Sequence, residues 1–265
     1  MKNGEDKNSM TSLFNDIIFG PVRSRRLGLS LGVNLLPSDA KWCSFDCIYC
    51  ECGWNADRRG AHTIYPRERV VQALAQRLET MAAAGELPDT ITFAGNGEPT
   101  LHPDFEEIID DTLCLRDTIS PQTKVSVLSN ATQLGRESVR RALARVDNNI
   151  LKLDSAFDAT VQAINKPCGS YSVQQTARLI RSFGGRQIVQ TMFVRGLCDG
   201  MRIDNTTEEE VAAWLALVGD IAPRQVMVYS LDRDTPCPTL EKVPREELLA
   251  IAARVEALGI ECSVA

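Results

Sequence analysis

The stretch LGLSLGVNLLPSDAKWCSFDCIYC, residues 27–50, joins an apolar segment to a group of cysteines. The apolar part, residues 27–36, predicts a buried strand. The loop that follows carries Cys43, Cys47 and Cys50 in a C-x3-C-x2-C spacing. Thiolates this close in sequence can converge on one metal centre. We therefore expect a metal site in the loop behind the first strand.

The number of cysteines in this loop bears on which metal it would hold. A structural zinc site is closed by four ligands. A 4Fe–4S cluster has four irons, so three cysteines leave one iron open to another ligand. For zinc, a fourth ligand could come from Cys52, His62 or His102. The spacing alone leaves both the cluster and the zinc site open.

The rest of the chain alternates between strand-like and helix-like segments. After residues 27–36, strands are predicted near residues 90–93, 124–128, 149–153, 187–194 and 225–230, with a short terminal strand at 260–264. Helices are predicted to begin near residues 66, 104, 136, 172, 207 and 244. Alternation of this kind indicates a parallel sheet covered by helices.

Six strand–helix units are fewer than the eight of a closed barrel. We therefore predict an α/β fold, a partial (β/α)6 TIM-like barrel that is open on one side. A doubly wound open sheet is the competing topology. In either fold the functional loops lie at the carboxyl ends of the strands. We expect a flexible N-terminal tail over residues 1–18 and a single core domain over residues 19–265.

Composition and charge narrow the function classes. The chain has 265 residues, of which 44% are hydrophobic and 24% charged, and a formal net charge of −6. These values are ordinary for a soluble globular protein and exclude wholesale disorder. The acidic balance disfavours a generally basic nucleic-acid binder. We expect a monomer or a weak dimer.

The compartment is inferred from the cysteines and from the apolar segments. Nine cysteines, unevenly spread, favour a reducing compartment and a metal site over a set of disulfides. No run of about 18 apolar residues exists, and residues 1–10 lack the apolar stretch of a signal peptide. We therefore expect a cytoplasmic protein that does not interact with a membrane.

The segment CSFDCIYC, residues 43–50, resembles the C-x3-C-x-aromatic-C signature of the radical S-adenosylmethionine superfamily. The aromatic residue is Tyr49, and in that family it lies by the adenine. Four further stretches resemble one branch of the superfamily, the 4-demethylwyosine synthase-like Fe–S oxidoreductases: FGPVRSRRLGLSLGVNLLP (19–37), GNGEPTLHP (95–103), INKP (164–167) and VYSLDR (228–233).

The resemblance implies cofactors and a reaction type. It implies that Cys43, Cys47 and Cys50 bind a 4Fe–4S cluster, whose open iron binds S-adenosylmethionine. Reductive cleavage of S-adenosylmethionine would give a 5′-deoxyadenosyl radical that abstracts hydrogen from a substrate. The enzyme would be an iron–sulfur oxidoreductase or lyase, reduced by an external one-electron donor of the flavodoxin or ferredoxin type.

The resemblance also implies cofactor-binding residues at the strand ends. The turn Gly95-Asn96-Gly97-Glu98 is similar to the family's G-G-E motif, which binds the amino group of S-adenosylmethionine. At later strand ends, the residues assigned to the cofactor are Ser129, Asn130, Asp154, Gln190 and Tyr229. Capping remains the alternative for Ser129 and Asn130, and a plain internal polar residue for Gln190. Lys152 and Asp154 straddle Leu153, so one or both can face the cavity.

Two other groups of residues, three cysteines and a basic run, can each be interpreted in two ways. Cys168, Cys198 and Cys237 lie near predicted strand-end loops, where one thiol could donate a hydrogen atom to a substrate radical; the alternative is a free, inert cysteine. The basic run at residues 23–26 could bind a phosphate-bearing substrate or the cofactor carboxylate. A solvated surface is the alternative for that run.

The resemblance leaves several substrate classes open. A small molecule, a nucleoside or a peptide backbone all fit the resemblance. A wyosine-type tRNA-modifying enzyme and a glycyl-radical-activating enzyme are alternatives within the superfamily. The acidic charge and the lack of any cysteine before Cys43 disfavour tRNA. A structural zinc-binding module is the alternative from another class.

Overall fold

The computed structural model describes residues 13–24, 26–57 and 63–265. The strands within these residues are β1 (Ile18–Ser24), β2 (Gly28–Val33), β3 (Thr90–Phe93), β4 (Lys124–Ser129), β5 (Asn148–Lys152), β6 (Ile188–Met192), β7 (Val194–Cys198), β8 (Met201–Asp204), β9 (Gln225–Tyr229), β10 (Leu240–Lys242) and β11 (Glu261–Val264). The α-helices are α1 (Arg67–Ala84), α2 (Phe105–Ile119), α3 (Glu137–Leu143), α4 (Asp158–Asn165), α5 (Val173–Arg181), α6 (Glu208–Ile221) and α7 (Arg245–Glu256).

One large sheet organises the fold. It has eight strands in the order β1-β2-β3-β4-β5-β6-β9-β11, and every pair from β2 onward is parallel. The parallel strands follow the order of the chain without reversal, whereas a doubly wound sheet reverses at a switch point. The two end strands, β1 and β11, are not neighbours, so the sheet is open. The predicted α/β partial barrel, open on one side, is confirmed.

The helices cover the sheet through apolar stripes of the kind that the sequence shows. On α1 the buried side chains are Val70, Leu74, Leu78 and Met81, at the spacing of one helix face. The helix ends at Gly85, whose left-handed backbone (φ 70°) lets its N–H bond back to the last turn. Each fully buried aliphatic side chain contributes about 1.5–3 kcal/mol, so Leu74→Ala would weaken the packing of this helix.

Five of these elements were not predicted: β1, β7, β8, β10 and α4. β1 pairs antiparallel with β2 at the edge of the sheet, where the proline in its IFGPVRS sequence is tolerated. β7, β8 and β10 form a separate three-stranded antiparallel sheet. Their sequences are short and mostly polar or exposed, so no apolar periodicity marks them. The short helix α4 also went unpredicted, and it positions the cysteine loop.

The described part of the predicted tail, residues 13–18, contacts the rest of the fold. The Phe14 N–H donates to Asn96 Oδ1 over 2.8 Å, and the Asn34 N–H donates to the Ile17 carbonyl over 2.7 Å. Ile17 is buried. Residues 1–12 lie outside the described residues. Within the described ranges, no helix is both long and apolar enough to cross a bilayer.

Candidate active site

The cysteine loop follows β2 and is fastened to the C-terminal end of α4. The backbone N–H groups of Asp46 and Ile48 donate to the carbonyls of Asn165 (2.8 Å) and Ile164 (3.0 Å). The Cys168 N–H donates to the Ser44 carbonyl over 2.9 Å. These long-range bonds satisfy backbone groups that an irregular loop would otherwise leave unpaired. The position of the loop is therefore fixed by its hydrogen bonds to α4 and to the residues that follow α4.

Three of the four loop cysteines converge on one cavity. Cys43, Cys47 and Cys50 line a space of about 300 Å³, whereas Cys52 donates its S–H to the Gly95 carbonyl over 3.5 Å. Cys47 is buried, and Cys43 and Cys50 are half-buried. The cavity thus presents three sulfur donors on one side.

A buried lysine lies beside the three thiols. The side chain of Lys41 is 1% exposed, and its ammonium donates to Asp46 Oδ1 and to the Gly53 carbonyl, both over 2.9 Å. Burial opposes the charge of Lys41, but the neighbouring thiolate of Cys50 and the bond to Asp46 raise its pKa above the ordinary value. This fixed positive charge favours negative charge on the cysteine sulfurs.

The thiols differ in how readily they ionise. Polar contact with the adjacent Cys52 and the charge of Lys41 lower the pKa of Cys50 below its usual value, although burial opposes this shift. Burial raises the pKa of Cys47 to about 11 and raises that of Cys43 further above its usual range. Cys50 is therefore the readiest metal ligand, and binding a metal would release protons from the other two.

The glycine-rich turn after β3 packs against the cysteine loop. The Trp42 N–H donates to the Asn96 carbonyl over 2.7 Å, and the Glu98 N–H donates to the Trp42 carbonyl over 3.1 Å. Gly97 has φ 142°, and a Cβ there would lie 1.9 Å from the Trp42 carbonyl oxygen. Glycine is therefore required at this position by the close approach of the cysteine loop.

Asn96 does not line the cavity. Its side-chain amide donates to the carbonyls of Phe14 (2.9 Å) and Pro37 (2.8 Å), and the residue is fully buried. Asn96 holds the N-terminal segment against the turn.

Glu98 joins the ends of β3 and β4. Its carboxylate accepts from the backbone N–H groups of Thr100 (3.1 Å) and Asn130 (2.6 Å), and from the hydroxyls of Thr100 and Ser129. The residue is 2% exposed, and burial raises its pKa, although these hydrogen bonds oppose the shift. With four protein donors on its two oxygens, this carboxylate shapes the cavity by fixing the two strand ends.

Asn130 links the end of β4 to the cysteine loop. Its side-chain amide donates to Ser44 Oγ over 2.9 Å and reaches Cys43 Sγ at 3.5 Å. Both Ser129 and Asn130 line the cavity. Hydrogen bonds to a cysteine sulfur are one means by which proteins tune a cluster potential.

A buried polar network lies under Tyr49. Its hydroxyl donates to Asp154, and it accepts from Lys152 Nζ over 2.9 Å. The side-chain amide of Asn165 donates to Asp154 Oδ2 over 2.7 Å and reaches Cys47 Sγ at 3.4 Å. Burial and the charge of Asp154 raise the pKa of Tyr49, so the phenol stays protonated. The network connects the cysteine loop to β5 and α4.

Most of the predicted cofactor residues meet at this cavity. Those that line it are Tyr49, Gly95, Gly97, Glu98, Ser129, Asn130, Gln190 and Tyr229. Asp154 lies beneath Tyr49 instead of in the cavity wall. Lys152, which the sequence argument left open, faces the cavity, and Arg26 and Met192 also line it. Asn165 was missed as a site residue, although it belongs to the quoted INKP stretch.

The three candidate hydrogen-donor cysteines are not among the residues that line the cavity. Cys198 and Cys237 are joined by a disulfide with a Cα–Cα distance of 5.8 Å. A disulfide carries no S–H hydrogen, and this pairing differs from the expected set of free thiols. Cys168 is exposed, and its sulfur accepts from the Asn55 amide over 3.3 Å.

The donor set fits a cluster held by three cysteines. His102, one of the alternative zinc ligands, places Nε2 on the Tyr65 carbonyl over 2.8 Å and accepts the Asp104 N–H at Nδ1 over 3.1 Å. Both of its ring nitrogens are thus engaged away from the cavity. His62 lies outside the described residues. Three thiols on one side of a cavity with further room match a 4Fe–4S cluster with one open iron.

Comparison with known proteins agrees with this geometry. A family model described as the Radical SAM superfamily matches residues 38–216. The UPF0026 protein slr1464 of Synechocystis is 32% identical over 224 residues, which cover 83% of this chain and 77% of that protein. A UPF0026 protein of Helicobacter pylori strain 26695 is 28% identical over 253 residues, covering 92% of this chain and 75% of its own length.

Solved structures show the same fold. A radical SAM methyltransferase from Sphaerobacter thermophilus superposes with a TM-score of 0.67 at 15% identity, over 89% of this chain and 65% of that chain. The structure titled archaeal TYW1 superposes with a TM-score of 0.52 at 13% identity, over 86% of this chain and 71% of that chain. The family model covers more than half of the chain, and the cavity presents the matching thiols. The chain therefore belongs to the radical SAM superfamily, whose enzymes use a 4Fe–4S cluster and S-adenosylmethionine.

Proposed function

We propose that Cys43, Cys47 and Cys50 hold the cluster and that S-adenosylmethionine binds beside it, against the strand-end residues that line the same cavity. One observation carries the proposal: the three thiols and the strand-end polar residues line the same space. When bound, the cluster would supply one electron for the reductive cleavage of S-adenosylmethionine, which generates a radical that takes hydrogen from a substrate. This makes the chain an oxidoreductase or a lyase.

The chain's own residues would position the cofactor. Tyr49 and Tyr229 offer aromatic surface for the adenine, and Lys152 holds both rings because its ammonium reaches their hydroxyls at 2.9 and 3.4 Å. Ser129 and Asn130 offer hydrogen-bonding groups at the end of β4. Glu98 accepts from the Ser129 hydroxyl and from the Asn130 N–H, so both residues are already in place before a ligand binds.

The electron would come from outside the chain. We propose a flavodoxin- or ferredoxin-type donor, because the three thiols are the only cysteines in the described cavity lining, which therefore presents thiolate ligands for one cluster. Lys41 supports the reduction indirectly, since its buried charge favours the negatively charged thiolates. Measuring the rate of cluster reduction by each purified donor would identify which type acts.

The decisive experiment is anaerobic reconstitution with iron and sulfide, followed by dithionite reduction in the presence of S-adenosylmethionine. We expect a brown protein that releases 5′-deoxyadenosine and methionine, measured by chromatography. Cys47→Ala should lose both colour and cleavage. Cys114→Ala is the matched control, because Cys114 is exposed on α2, and it should retain both. A colourless protein that binds zinc and leaves S-adenosylmethionine intact would establish the zinc-module alternative.

Transfer RNA is the second candidate substrate, supported by the stretches at residues 19–37 and 228–233 that resemble the demethylwyosine synthase branch. The net charge of −6 disfavours it. Binding to phosphates weakens steeply with salt. We therefore propose a binding assay at low and high salt with bulk tRNA, in which absence of binding at low salt removes this candidate.

A glycyl-radical partner is the other alternative within the superfamily. Such a partner would be detected in the cleavage assay by its characteristic electron paramagnetic resonance signal.

A further inference from the structure

A second cavity, of about 390 Å³, lies on the concave face of the large sheet. Its walls come from several neighbouring strands: Ser30 and Gly32 on β2, Thr92 on β3, Leu128 on β4, Ile150 on β5 and Met227 on β9. Five residues line both this cavity and the one that contains the cysteines: Arg26, Glu51, Ala94, Leu128 and Gln190. The two spaces therefore meet along a common wall. The volume is that of a site for a small molecule.

Arg26 stands at this common wall with an unsatisfied charge. Its Nη1 atom is buried and has no hydrogen-bond partner. Its guanidinium lies over the ring of Tyr229, with the carbon 4.5 Å from the ring centroid. A buried donor without a partner costs free energy, and more so when it is charged. Such a group in a cavity calls for an explanation, and a bound anion supplies one.

Three arginines elsewhere in the chain are each paired with a carboxylate. Arg67, Arg195 and Arg254 each donate two hydrogen bonds to one carboxylate, of Asp111, Glu247 and Glu208 respectively. In the second cavity, Arg233 is paired with Glu51 at 2.7 Å.

Within residues 13–24, 26–57 and 63–265, neither Arg23 nor Arg26 makes an ion pair. Both line this cavity. Two guanidinium groups without an ion pair among the described residues therefore line the same cavity, and one of them, Arg26, has a buried nitrogen without a hydrogen-bond partner.

We infer that the second cavity binds a small organic substrate that carries an oxyanion, a carboxylate or a phosphate, and that Arg26 is the residue that holds it. The guanidinium fork suits either group, because both accept two parallel hydrogen bonds. Phe19, Leu128, Ile150 and Met227 add apolar wall, so the substrate also has an apolar part. The inference rests on the proposed function, since it places this substrate next to the cofactor cavity.

The test uses the reconstituted holoprotein with S-adenosylmethionine bound and no reductant, so that binding is measured apart from turnover. The probes are benzoate and phenyl phosphate, with benzamide as the neutral analogue, titrated by calorimetry. We expect at least one anion to bind about tenfold or more tightly than benzamide. Arg26→Gln should abolish that preference, and Arg26→Lys should retain part of it. Arg202→Gln, an exposed arginine outside the cavity, should behave as wild type.

Three results would overturn the inference. One is equal binding of the anions and benzamide by the wild-type protein. Another is an unchanged anion preference in folded Arg26→Gln protein, with folding checked by circular dichroism. The third is competition between the anions and S-adenosylmethionine together with a loss of cofactor affinity in Arg26→Gln, which would assign Arg26 to the cofactor carboxylate. Failure to cleave S-adenosylmethionine with anion binding intact would count against the proposed function alone.

Discussion

The hydroxyl of Tyr49 donates a hydrogen bond to the carboxylate of Asp154, which lies 105 residues further along the chain. The second oxygen of Asp154 accepts the Met192 N–H over 2.9 Å. One buried carboxylate therefore ties the cysteine loop to the ends of β5 and β6. Lys152 compensates its charge, with 3.6 Å between Nζ and Oδ2. The position of the thiols thus depends on a residue that is not part of the cavity wall.

Asp154→Asn should destabilise the protein and loosen the cysteine loop. The substitution keeps the shape but removes the charge that compensates Lys152, and breaking a buried pair costs about 3–5 kcal/mol. We expect urea unfolding to show a loss of this order and the reconstituted variant to bind less iron. The control is Asp220→Asn, which removes an exposed partner of Arg181 and should change stability by less than about 1 kcal/mol. Equal effects of the two substitutions would contradict the assigned role of Asp154.

Glu98→Gln should lower the free energy of unfolding by an amount that depends on pH. Burial raises the folded-state pKa of Glu98 above its unfolded value, so the folded protein binds the proton more tightly. The stability due to this group is present below the unfolded pKa of about 4.3 and is lost as the pH rises through the raised folded pKa.

A glutamine at position 98 does not titrate. Its NH2 group would face N–H donors that bond to a carboxylate oxygen of Glu98 in the wild-type protein. We therefore expect the variant to be less stable at about pH 5, with the difference from wild type shrinking as the pH rises, by up to about 1.4 kcal/mol per pH unit. Urea unfolding of the cluster-free proteins across this range measures it. A difference that grows with pH would mean that the hydrogen bonds outweigh burial.

The parallel sheet could be predicted from the sequence because short segments rich in apolar and β-branched residues alternate with amphipathic helices. In β3, whose sequence is TITF, three of the four residues are β-branched and all four are buried, so composition marks the strand. The small sheet could not be predicted, because β8 and β10 are mostly exposed and are held by pairing with β7. Pairing between distant segments leaves no local pattern in the sequence.

Those residues of the candidate site that lie at the ends of the parallel strands could be predicted from the sequence. Parallel strands bring their carboxyl ends to one edge, so Ser129, Gln190 and Tyr229 met as expected. Arg26 precedes β2, and nothing in its position indicated that its side chain would reach the Tyr229 ring. The direction of the Asn96 side chain was also unpredictable, since it depends on the N-terminal segment that it binds.

Gly97→Ala should prevent the cysteine loop from seating. The new Cβ would fall 1.9 Å from the Trp42 carbonyl oxygen, a backbone atom, and φ 142° is a conformation that side chains rarely adopt. We expect a loss of roughly 3 kcal/mol or more in stability and loss of iron binding after reconstitution. Gly135→Ala is the control, since a Cβ there meets nothing within 4 Å, and it should stay within about 1 kcal/mol of wild type. Iron binding by Gly97→Ala at the wild-type level would show that the loop can move.

The Cys198→Ala/Cys237→Ala double variant separates a structural role from a chemical one. The disulfide closes a loop with a sequence separation of 39 and joins β7 to the segment before β10. Its removal should cost roughly 2–4 kcal/mol of stability. Because neither sulfur lines the cavity, cleavage of S-adenosylmethionine should continue at the wild-type rate below the unfolding temperature. A fall in the cleavage rate without a matching fall in stability would instead show that one of these sulfurs takes part in the reaction. The two single variants would then identify which one.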